Sequence, residues 1–378
     1  MSIPPSPQKH ECQRHECQPQ ECHRFLVVRT DFLGDSVLTS VFIRMLSQIP
    51  NVTIDIVCFE YNFAAFKYNP HVEVVYWLYK NPADNEGKVH NQRQLETIQN
   101  CSYSAVFMLN RDLKSYYLLK YVSTKKIFGH RLGVRSLRSK MFCIFTQLTG
   151  KYHYLAYDDS IHEVINQANL LYFGLSRLNI RGVDSIAVDP TCYFYTESFN
   201  PECDIVKIDQ KTNDMNDFNK IRDGIRDKNK VVVNISGRRD TVRYIPSALA
   251  KCIIEDLLKL NMEVLVVATK DDESRALELL QEISSSRVTL CTENDLFSVC
   301  NLMITSLYYI GADGGLLHIA AGLHMKCVGL FHAQNILAWH PWSKTQICLQ
   351  TPTRKIYDLT SRQIIDGLEK VKNIETEF

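Results

Sequence analysis

The sequence predicts an α/β protein of two halves, each a doubly wound sheet of parallel strands, facing each other across a cleft. Short apolar runs alternate with segments of helical periodicity, which is the pattern of β-α-β units. The alternation occurs twice, before and after a polar, charged segment at residues 196–230. The chain also has 378 residues, whereas single hydrophobic cores stop growing near ~250–300 residues.

The first half is predicted to begin with a buried strand at residues 25–29 (FLVVR), because a continuous apolar run is typical of parallel strands covered on both faces. A helix follows at Ser36–Gln48, where apolar residues recur at helical spacing. The alternation continues with strands at 53–58, 72–77, 104–109 and 125–129, and with helices at 61–68, 93–100 and 113–122.

The second half repeats this pattern after the polar segment. Its predicted strands are 231–235, 264–268, 288–291, 307–312 and 327–331, and its predicted helices are 246–260, 271–283, 314–323 and 361–372. We therefore divide the chain into a tail (1–24), a first domain (25–200), a connection (201–230), a second domain (231–360) and a C-terminal helix (361–378). Ligands are expected beyond the carboxyl ends of the strands.

The composition of the chain favours some classes of protein over others. The formal net charge of +1 argues against a general nucleic-acid binder, and we expect no nucleic-acid partner. The 13 cysteines are scattered without a CxxC pair, which is typical of buried thiols in a reducing compartment. Neither a secretory signal nor an apolar run of ~18 residues occurs, so we expect a cytoplasmic protein.

Residues 1–24 are polar and repeat the tripeptide Glu-Cys-Gln. Such a segment buries too little apolar surface to offset its ordering entropy, so we expect a disordered tail. The alternative is a zinc-binding interaction module, although the spacing matches neither C-x2-C nor H-x3-H. Its ligands would come from His10, Cys12, His15, Cys17, Cys22 and His23.

The first candidate site segment, residues 29–39 (RTDFLGDSVLT), joins the first strand to the first helix. Gly34 permits a tight turn and close approach of the backbone. Asp35 then lies at the helix start, where a carboxylate could accept a proton from a hydroxyl. The alternative is structural, because Asp31 and Asp35 are both good helix N-caps.

The second segment, residues 234–246, follows the first strand of the second half. Ser236 and Gly237 are small enough to let backbone amides approach an anion. Arginine side chains can neutralise phosphate charge; those of this segment are Arg238, Arg239 and Arg243. A solvated basic loop before a helix that begins near Pro246 is the alternative.

The third segment, residues 312–322 (ADGGLLHIAAG), places two glycines where a strand ends and a helix begins. Gly314 and Gly315 would expose unpaired amides at the positive end of the helix dipole, which is a phosphate-binding arrangement. The alternative is an ordinary turn, with His318 as a packed core histidine.

Charge is distributed unevenly in the first half. Residues 113–157 contain no Asp or Glu but nine Lys and Arg, interleaved with aliphatic and aromatic residues. This composition suits contact with an anionic substrate or with an anionic membrane surface. A solvated basic face is the alternative.

The segments together, in their order along the chain, resemble the heptosyltransferase family, glycosyltransferase family 9. The family pattern R-x-x-x-L-G-D-x-[VL]-L-T is similar to residues 29–39, and D-[ST]-G-x-x-H-[LI]-A-A is similar to residues 313–321. A family histidine-valine pair at a helix start is similar to His162–Val164, and a W-x-P-W ending is similar to Trp339–Trp342.

The resemblance implies a GT-B fold, in which two Rossmann-like domains face a central cleft. It implies inverting, metal-independent transfer of a heptose from a nucleotide-diphosphate donor such as ADP-heptose to a lipopolysaccharide core or similar anionic glycan acceptor, with no cofactor. Asp35 would be the general base. The N-terminal domain would bind the acceptor and the C-terminal domain would bind the donor. The protein would then contact the inner face of the cytoplasmic membrane peripherally.

Two sets of binding residues follow from the resemblance and from the segments above. The donor set is Ser236, Arg239, Arg243, Asp272, Glu273, Asp313, Gly314, Gly315 and His318, with Asp272 or Glu273 at the ribose or adenine side. The acceptor set is Arg29, Gly34, Arg131 and Arg135.

The chain departs from the family pattern at three places. Val242 stands where the family commonly has a phosphate-binding lysine, with Arg243 beside it, and Gly314 stands where the family has Ser or Thr. Residues 332–336 (HAQNI) replace a G-P-T-D-P segment. The open alternatives are the same fold with a UDP- or GDP-sugar donor, and a non-catalytic homologue that binds nucleotide sugar.

Overall fold

The computed structural model describes residues 22–131, 137–180, 183–196, 226–238 and 242–374. Within these ranges the chain forms two parallel six-stranded sheets, one from each half. The mixed α/β architecture predicted from the sequence is confirmed. The tail 1–21, with all but Cys22 and His23 of the suggested zinc ligands, lies outside the described residues.

The first sheet has the strand order β3-β2-β1-β5-β7-β8. Its strands are β1 (His23–Val28), β2 (Val52–Phe59), β3 (Val74–Leu78), β5 (Ala105–Met108), β7 (Ile127–His130) and β8 (Tyr152–Leu155). Beside them, β4 (Ser102–Tyr103) pairs with β6 (Ser123–Thr124). The strand β8 has no counterpart among the sequence predictions.

The helices of the first half are α1 (Leu33–Ser47), α2 (Asn85–Gln99), α3 (Leu113–Tyr116), α4 (Leu137–Leu148) and α5 (Glu163–Leu178). The helix α2 begins eight residues before the predicted start at 93, because the Asp84 side chain accepts a hydrogen bond from the Gly87 amide and caps it. The helix predicted at 61–68 is a 3-10 segment, Glu60–Ala65. The one predicted at 113–122 divides into α3 and a 3-10 segment, Tyr117–Tyr121.

The second sheet has the order β11-β10-β9-β12-β13-β14. Its strands are β9 (Asp227–Asn234), β10 (Glu263–Val267), β11 (Val288–Cys291), β12 (Ser306–Ala312), β13 (Lys326–Leu330) and β14 (Gln346–Leu349). The five predicted strands are all present, and β14 is additional. The two sheets thus have the same order of strands relative to the chain.

The helices of the second half are α6 (Ser247–Lys259), α7 (Glu273–Ile283), α8 (Leu296–Met303), α9 (Gly315–Gly322), α10 (Ile336–Trp339) and α11 (Ser361–Lys372). The helix predicted at 361–372 is confirmed as α11. Thr360 and Gln363 form a reciprocal capping box at its start, which satisfies amides that would otherwise lack partners. None of the helices among the described residues is long and apolar enough to cross a bilayer.

Each sheet changes its direction of growth between its third and fourth strands. This switch point lies between β1 and β5 in the first sheet and between β9 and β12 in the second. Ligands of doubly wound sheets bind outside the carboxyl ends of the strands at such a point. A buried apolar cluster that includes residues of α1 and α9 joins the two halves next to these strand ends, so both switch points face one region.

Candidate active site

A cavity of about 880 Å³ lies where the two switch points face each other. Residues that follow all four central strands line it. They are Arg29, Asp31 and Asp35 after β1; Leu109 and Arg111 after β5; Asn234, Ser236 and Arg243 at the end of β9 and after it; and Asp313, Gly314, Gly315 and His318 after β12. The three segments that the sequence marks as candidate sites therefore share one cavity.

The guanidinium of Arg29 organises the wall formed by the first half. Its Nη2 donates to Asp35 Oδ1 and to Glu163 Oε1, both at 3.0 Å, and its Nη1 donates to the carbonyl of Leu109 at 3.0 Å. A third carboxylate, that of Asp31, lies 3.6 Å from Nη1. Arg29 is only 1% exposed, so these acids surround a fixed, buried positive charge.

The two carboxylates that share this nitrogen differ in acidity. Burial, with smaller contributions from the charges of Asp31 and Glu163, raises the pKa of Asp35 to about 7 against the opposing effect of Arg29. Burial also acts on Glu163, but Arg29 and hydrogen bonds from Gln167 and Tyr157 outweigh it and leave the Glu163 pKa lowered. Glu163 is therefore ionised at neutral pH, whereas Asp35 exchanges its proton near pH 7.

The helix-cap alternative for Asp31 and Asp35 does not hold. The N-cap of α1 is Phe32, and no side chain caps it. Asp35 lies within the first turn with its carboxylate on the cavity wall, and Asp31 precedes the helix. The helix dipole favours the ionised form of Asp35 at this position, whereas burial favours the protonated form.

The opposite wall is formed by the turn from β12 to α9. Buried Asp313 lies 3.3 Å from Arg243 Nη1, and burial raises the pKa of Asp313 to about 6, with Arg243 acting against this. Arg243 is held from its other side by the amide oxygen of Gln334, which accepts from Nε at 2.8 Å and from Nη2 at 2.7 Å. Arg243 is thus a positioned cation at the cavity edge.

Glycine is required at one position of the β9 loop. The backbone doubles back so that Arg243 N donates to the carbonyl of Arg238 at 2.9 Å. A Cβ added to Gly237 would lie 1.7 Å from the carbonyl oxygen of Arg243. Any side chain there would open the loop that places Arg243 on the cavity.

The two helix starts touch each other. A Cβ on Gly34 of α1 would lie 2.6 Å from His318 Cδ2 of α9, and one on Gly315 would lie 3.2 Å from the Cβ of Leu33. His318 is buried, and burial together with nearby histidines and Arg243 lowers its pKa to about 3. Both alternatives given for His318 therefore hold. Neutral His318 packs on Gly34, and it also lines the cavity.

A second contact between the halves lies at the start of α5. The His162 ring caps this helix by accepting from the Val164 amide at 3.1 Å, and its Nε2 donates to the carbonyl of His340 at 2.8 Å. The ring also packs on Trp342, with centroids 4.6 Å apart. Burial lowers the His162 pKa to about 4, with His340 adding to this effect.

Several expected site residues lie elsewhere. Asp272 is buried away from the cavity and accepts from Arg275 Nε at 3.2 Å, and Glu273 accepts from Lys270 at 2.9 Å and Thr292 at 2.8 Å. Arg131 is exposed and does not line the cavity. Arg239 and Arg135 lie outside the described residues.

Other residues on the wall were not assigned to the site by the sequence analysis, although Glu163, Gln334 and Trp339 lie in segments that it compared with the family. They are Asp112, Glu163, Arg111, Glu293, Asn294, Gln334 and Trp339. Arg111 follows β5 immediately after Asn110, so the rule that ligands bind after strands would have indicated it. Glu293 follows β11 by two residues, and it is a carboxylate on the wall where Asp272 and Glu273 were expected to contribute one.

Comparison with known proteins relates this chain to a family of glycosyltransferases. The family description "Glycosyltransferase family 9 (heptosyltransferase)" matches residues 183–367. The second half of the chain is thus similar to glycosyltransferase family 9. It is 23% identical to lipopolysaccharide heptosyltransferase 3 of Escherichia coli over 328 residues, which cover 84% of this chain and 85% of that protein.

Solved structures similar to this chain agree on its fold. E. coli heptosyltransferase WaaC with ADP superimposes with a TM-score of 0.69 at 16% identity, covering 92% of this chain and 99% of that one. A family 9 glycosyltransferase from Veillonella parvula gives 0.69 at 16% identity, covering 92% and 97%. WaaC was also solved with ADP-2-deoxy-2-fluoro heptose, at a TM-score of 0.67 and 17% identity, covering 92% and 99%. The chain is a glycosyltransferase with the GT-B fold of these proteins.

Proposed function

We propose that this protein moves a heptose, or a related sugar, from ADP-heptose to a hydroxyl of a lipopolysaccharide core or similar anionic glycan, with inversion and without a metal, using Asp35 as general base. One observation carries the proposal: Asp35 lines the same cavity as the amide end of α9 in the other half. The relatives support it, since one is a lipopolysaccharide heptosyltransferase and WaaC was solved with ADP.

The chemical step is a single displacement at the anomeric carbon. The acceptor oxygen forms a bond to that carbon while its proton passes to Asp35. The bond from the anomeric carbon to the diphosphate oxygen breaks on the opposite face, and the nucleoside diphosphate leaves with the electron pair. Attack and departure on opposite faces invert the configuration at this carbon.

The leaving diphosphate gains negative charge, which the second half is built to stabilise. The first turn of α9 leaves amides without intrahelical partners at the positive end of the helix dipole, beside Gly314 and Gly315. Arg243 adds a full positive charge at the same wall, fixed by Asp313 and Gln334. Such preorganised donors stabilise a transition state without reorganising during the reaction.

The acidity of Asp35 gives the first test. A base must be deprotonated to act, and the pKa of Asp35 is raised to about 7 by burial. We expect kcat/KM for heptose transfer to rise with pH and to level off above a pKa near 7. A profile that is flat from pH 5 to 9 would remove Asp35 from the proposed role.

A second test separates the proposal from its alternatives. The preferred nucleotide should raise the melting temperature most in a panel of ADP, UDP and GDP, because a ligand of the folded state stabilises it by mass action. Preference for UDP or GDP would favour a different donor. ADP binding without transfer to any lipopolysaccharide core acceptor would favour a non-catalytic homologue. Transfer that is unchanged by EDTA is expected for a metal-independent enzyme.

The first half, which is proposed to bind the acceptor, also has a surface suited to contact with a membrane. The outward face of α4 carries apolar side chains at helical spacing, namely Met141, Ile144, Phe145 and Leu148, and the last is 78% exposed. The inward face packs through Phe142 on Tyr116 and Tyr152, so the helix is anchored while the stripe stays exposed. Lys114 and Lys120, both exposed, flank exposed Tyr117 beside Phe142. Apolar residues rimmed by lysines match the chemistry of an anionic bilayer surface.

Vesicle flotation tests this contact. We expect the protein to float with vesicles of anionic phosphatidylglycerol, and less with phosphatidylcholine or in high salt. Ile144→Ser with Leu148→Ser should weaken flotation, while Leu277→Ser and Leu302→Ser, at exposed leucines of the second half, should not. Equal loss in both pairs would contradict a role of the stripe, and a concentration-dependent dimer abolished by the first pair would instead indicate self-association.

A further inference from the structure

Glu163 lies beside the proposed base but does not resemble a base itself. Its side chain is 5% exposed, and both of its oxygens accept hydrogen bonds from neighbouring side chains. Oε1 accepts from Arg29 Nη2 and Gln167 Nε2, each at 3.0 Å, and Oε2 accepts from the Tyr157 hydroxyl at 2.7 Å. A carboxylate held by three donors is fixed in place and kept ionised.

The position of Glu163 in the fold reinforces this. It is the first residue of α5, directly after the His162 cap, where the helix dipole favours a negative charge. Tyr157 is itself fixed by Arg111, whose guanidinium carbon lies 3.4 Å from the centroid of the Tyr157 ring. The Glu163 carboxylate is thus supported from its own helix and from the loop before it.

One nitrogen connects this carboxylate to the base. Arg29 Nη2 donates to both Asp35 and Glu163 at the same distance, 3.0 Å. An arginine directed at Asp35 alone would hold that carboxylate as an ion and make it a poor proton acceptor. Glu163, whose pKa is lowered, shares the hydrogen bonding of this nitrogen and places a second negative charge near Asp35.

We infer that Glu163 is a positioning residue that holds Arg29 in a shared geometry and so keeps Asp35 basic enough to accept the acceptor proton. This inference rests on the proposed role of Asp35. The charged and titratable groups around Asp35 come from several elements: Arg29 and Asp31 from the turn after β1, Tyr61 from the 3-10 segment after β2, Glu163 from α5 and His318 from α9. Of these, Glu163 and Asp31 supply the negative charges, and Glu163 is the buried one.

The test is the pH dependence of transfer by Glu163→Gln. The amide keeps the size of the side chain and can still accept from Arg29, but it removes the charge. We expect the acid limb of the kcat/KM profile to move to lower pH by about one unit, since a neighbouring charge at such distances shifts a pKa by this order. Glu163→Asp, which keeps the charge but withdraws it from Arg29, should lie between wild type and Glu163→Gln.

A matched control distinguishes positioning from loss of stability. Asp55 is a fully buried carboxylate of the first sheet that pairs with Arg24 at 2.8 Å, away from the cavity. Asp55→Asn should lower the melting temperature and leave the acid limb at its wild-type pH. An NMR titration of the Asp35 carboxyl in Glu163→Gln gives the same comparison without activity.

The outcomes separate the two claims. If Glu163→Gln folds and its limb coincides with that of wild type or moves to higher pH, while Asp35→Asn is inactive, the inference about Glu163 is wrong and the base assignment stands. If Asp35→Asn retains full turnover, the proposed function itself is wrong. A limb that moves in Asp55→Asn as well would also overturn the inference, because any buried charge would then have the effect.

Discussion

The turn from β1 to α1 and the turn from β12 to α9 are the same structural element used in two ways. Both follow a central strand at a switch point, and both bring a glycine and a helix start to the cavity. The first collects three carboxylates around buried Arg29, whereas the second collects glycines, a neutral histidine and amides. One strand-to-helix turn can thus hold a proton acceptor or bind an anion, and side chains alone decide which.

The largest expected effect is that of replacing Asp35, the proposed base of the first turn. Asp35→Asn should reduce kcat by about 100-fold to 10,000-fold, the range over which general bases act. ADP binding, measured by calorimetry, should remain near wild type because the anion site belongs to the other turn. Asp31→Asn is the matched control: Asp31 lies farther from Arg29, at 3.6 Å, and is more exposed, so its loss should cost much less.

Acid is expected to act with opposite sign on Asp35 of the first turn and on His162, which caps α5 where the two halves meet. The folded-state pKa of Asp35 is raised to about 7, so its contribution to stability is present in acid and is lost as pH rises towards 7. The pKa of His162 is lowered to about 4, so its contribution is present above pH 6.5 and is lost as pH falls towards 4. The loss for His162 alone is about 3 kcal/mol, since one pKa unit corresponds to ~1.4 kcal/mol.

Urea unfolding between pH 7 and 4 separates these contributions. Asp35→Asn removes the gain in acid, so this variant should lose more stability on acidification than wild type. His162→Asn keeps a residue that can cap α5 and removes the titration, so it should lose less. Identical pH dependence in all three proteins would contradict the assigned acidities.

The glycines give the next largest effect. An added methyl group at Gly34 meets His318 at 2.6 Å, so Gly34→Ala should destabilise the fold by about 1–3 kcal/mol, as overpacking does. At Gly314 the nearest atom is the carbonyl oxygen of Ala312 at 3.9 Å, and φ is 170°. Gly314→Ala should therefore change the free energy of unfolding by less than ~0.5 kcal/mol. Equal melting temperatures for the two variants would show that the helix starts are not in contact.

The smallest expected effect is on ADP affinity, when Gly314 is replaced by the hydroxyl residue that the family has at this position. The open space there admits a hydroxyl, and one additional hydrogen bond contributes about 0.5–1.5 kcal/mol. Gly314→Ser should therefore bind ADP about 2-fold to 10-fold more tightly by calorimetry. Gly314→Ala provides the comparison without a hydroxyl, and equal affinity in the two variants would place the diphosphate elsewhere.

The sequence predicted the parts of the fold and the site that local patterns specify. Most strands, the starts of α9 and α11 and the contiguous motifs at Asp35 and Gly315 are read from neighbouring residues, and the motifs meet because parallel strands end at one edge. Glu163 lies in the segment His162–Val164 that resembles the family, but its contact with Arg29 spans 134 positions of sequence, and no local pattern indicates that pairing. Asp272 and Glu273 were misplaced because side-chain direction after a strand depends on partners such as Arg275 and Lys270.

Some elements were assigned the wrong type or were not predicted, because packing rather than local sequence determines them. The 3-10 segments Glu60–Ala65 and Tyr117–Tyr121 share the apolar spacing of short helices, and their tighter winding is set by packing. The helix α4 exposes an apolar stripe on one face and packs Phe142 on the other, so its residues lack the one-sided pattern that marks an ordinary surface helix.

The meeting of α1 and α9 has a consequence for how such proteins can be recombined. Gly34 accommodates His318, and Gly315 accommodates Leu33, so each half carries one member of two complementary pairs. A chimaera that joins this N-terminal half to the C-terminal half of a relative would need both pairs to match, however well each half folds alone. Exchange of specificity between relatives by swapping halves is therefore limited first by two glycines.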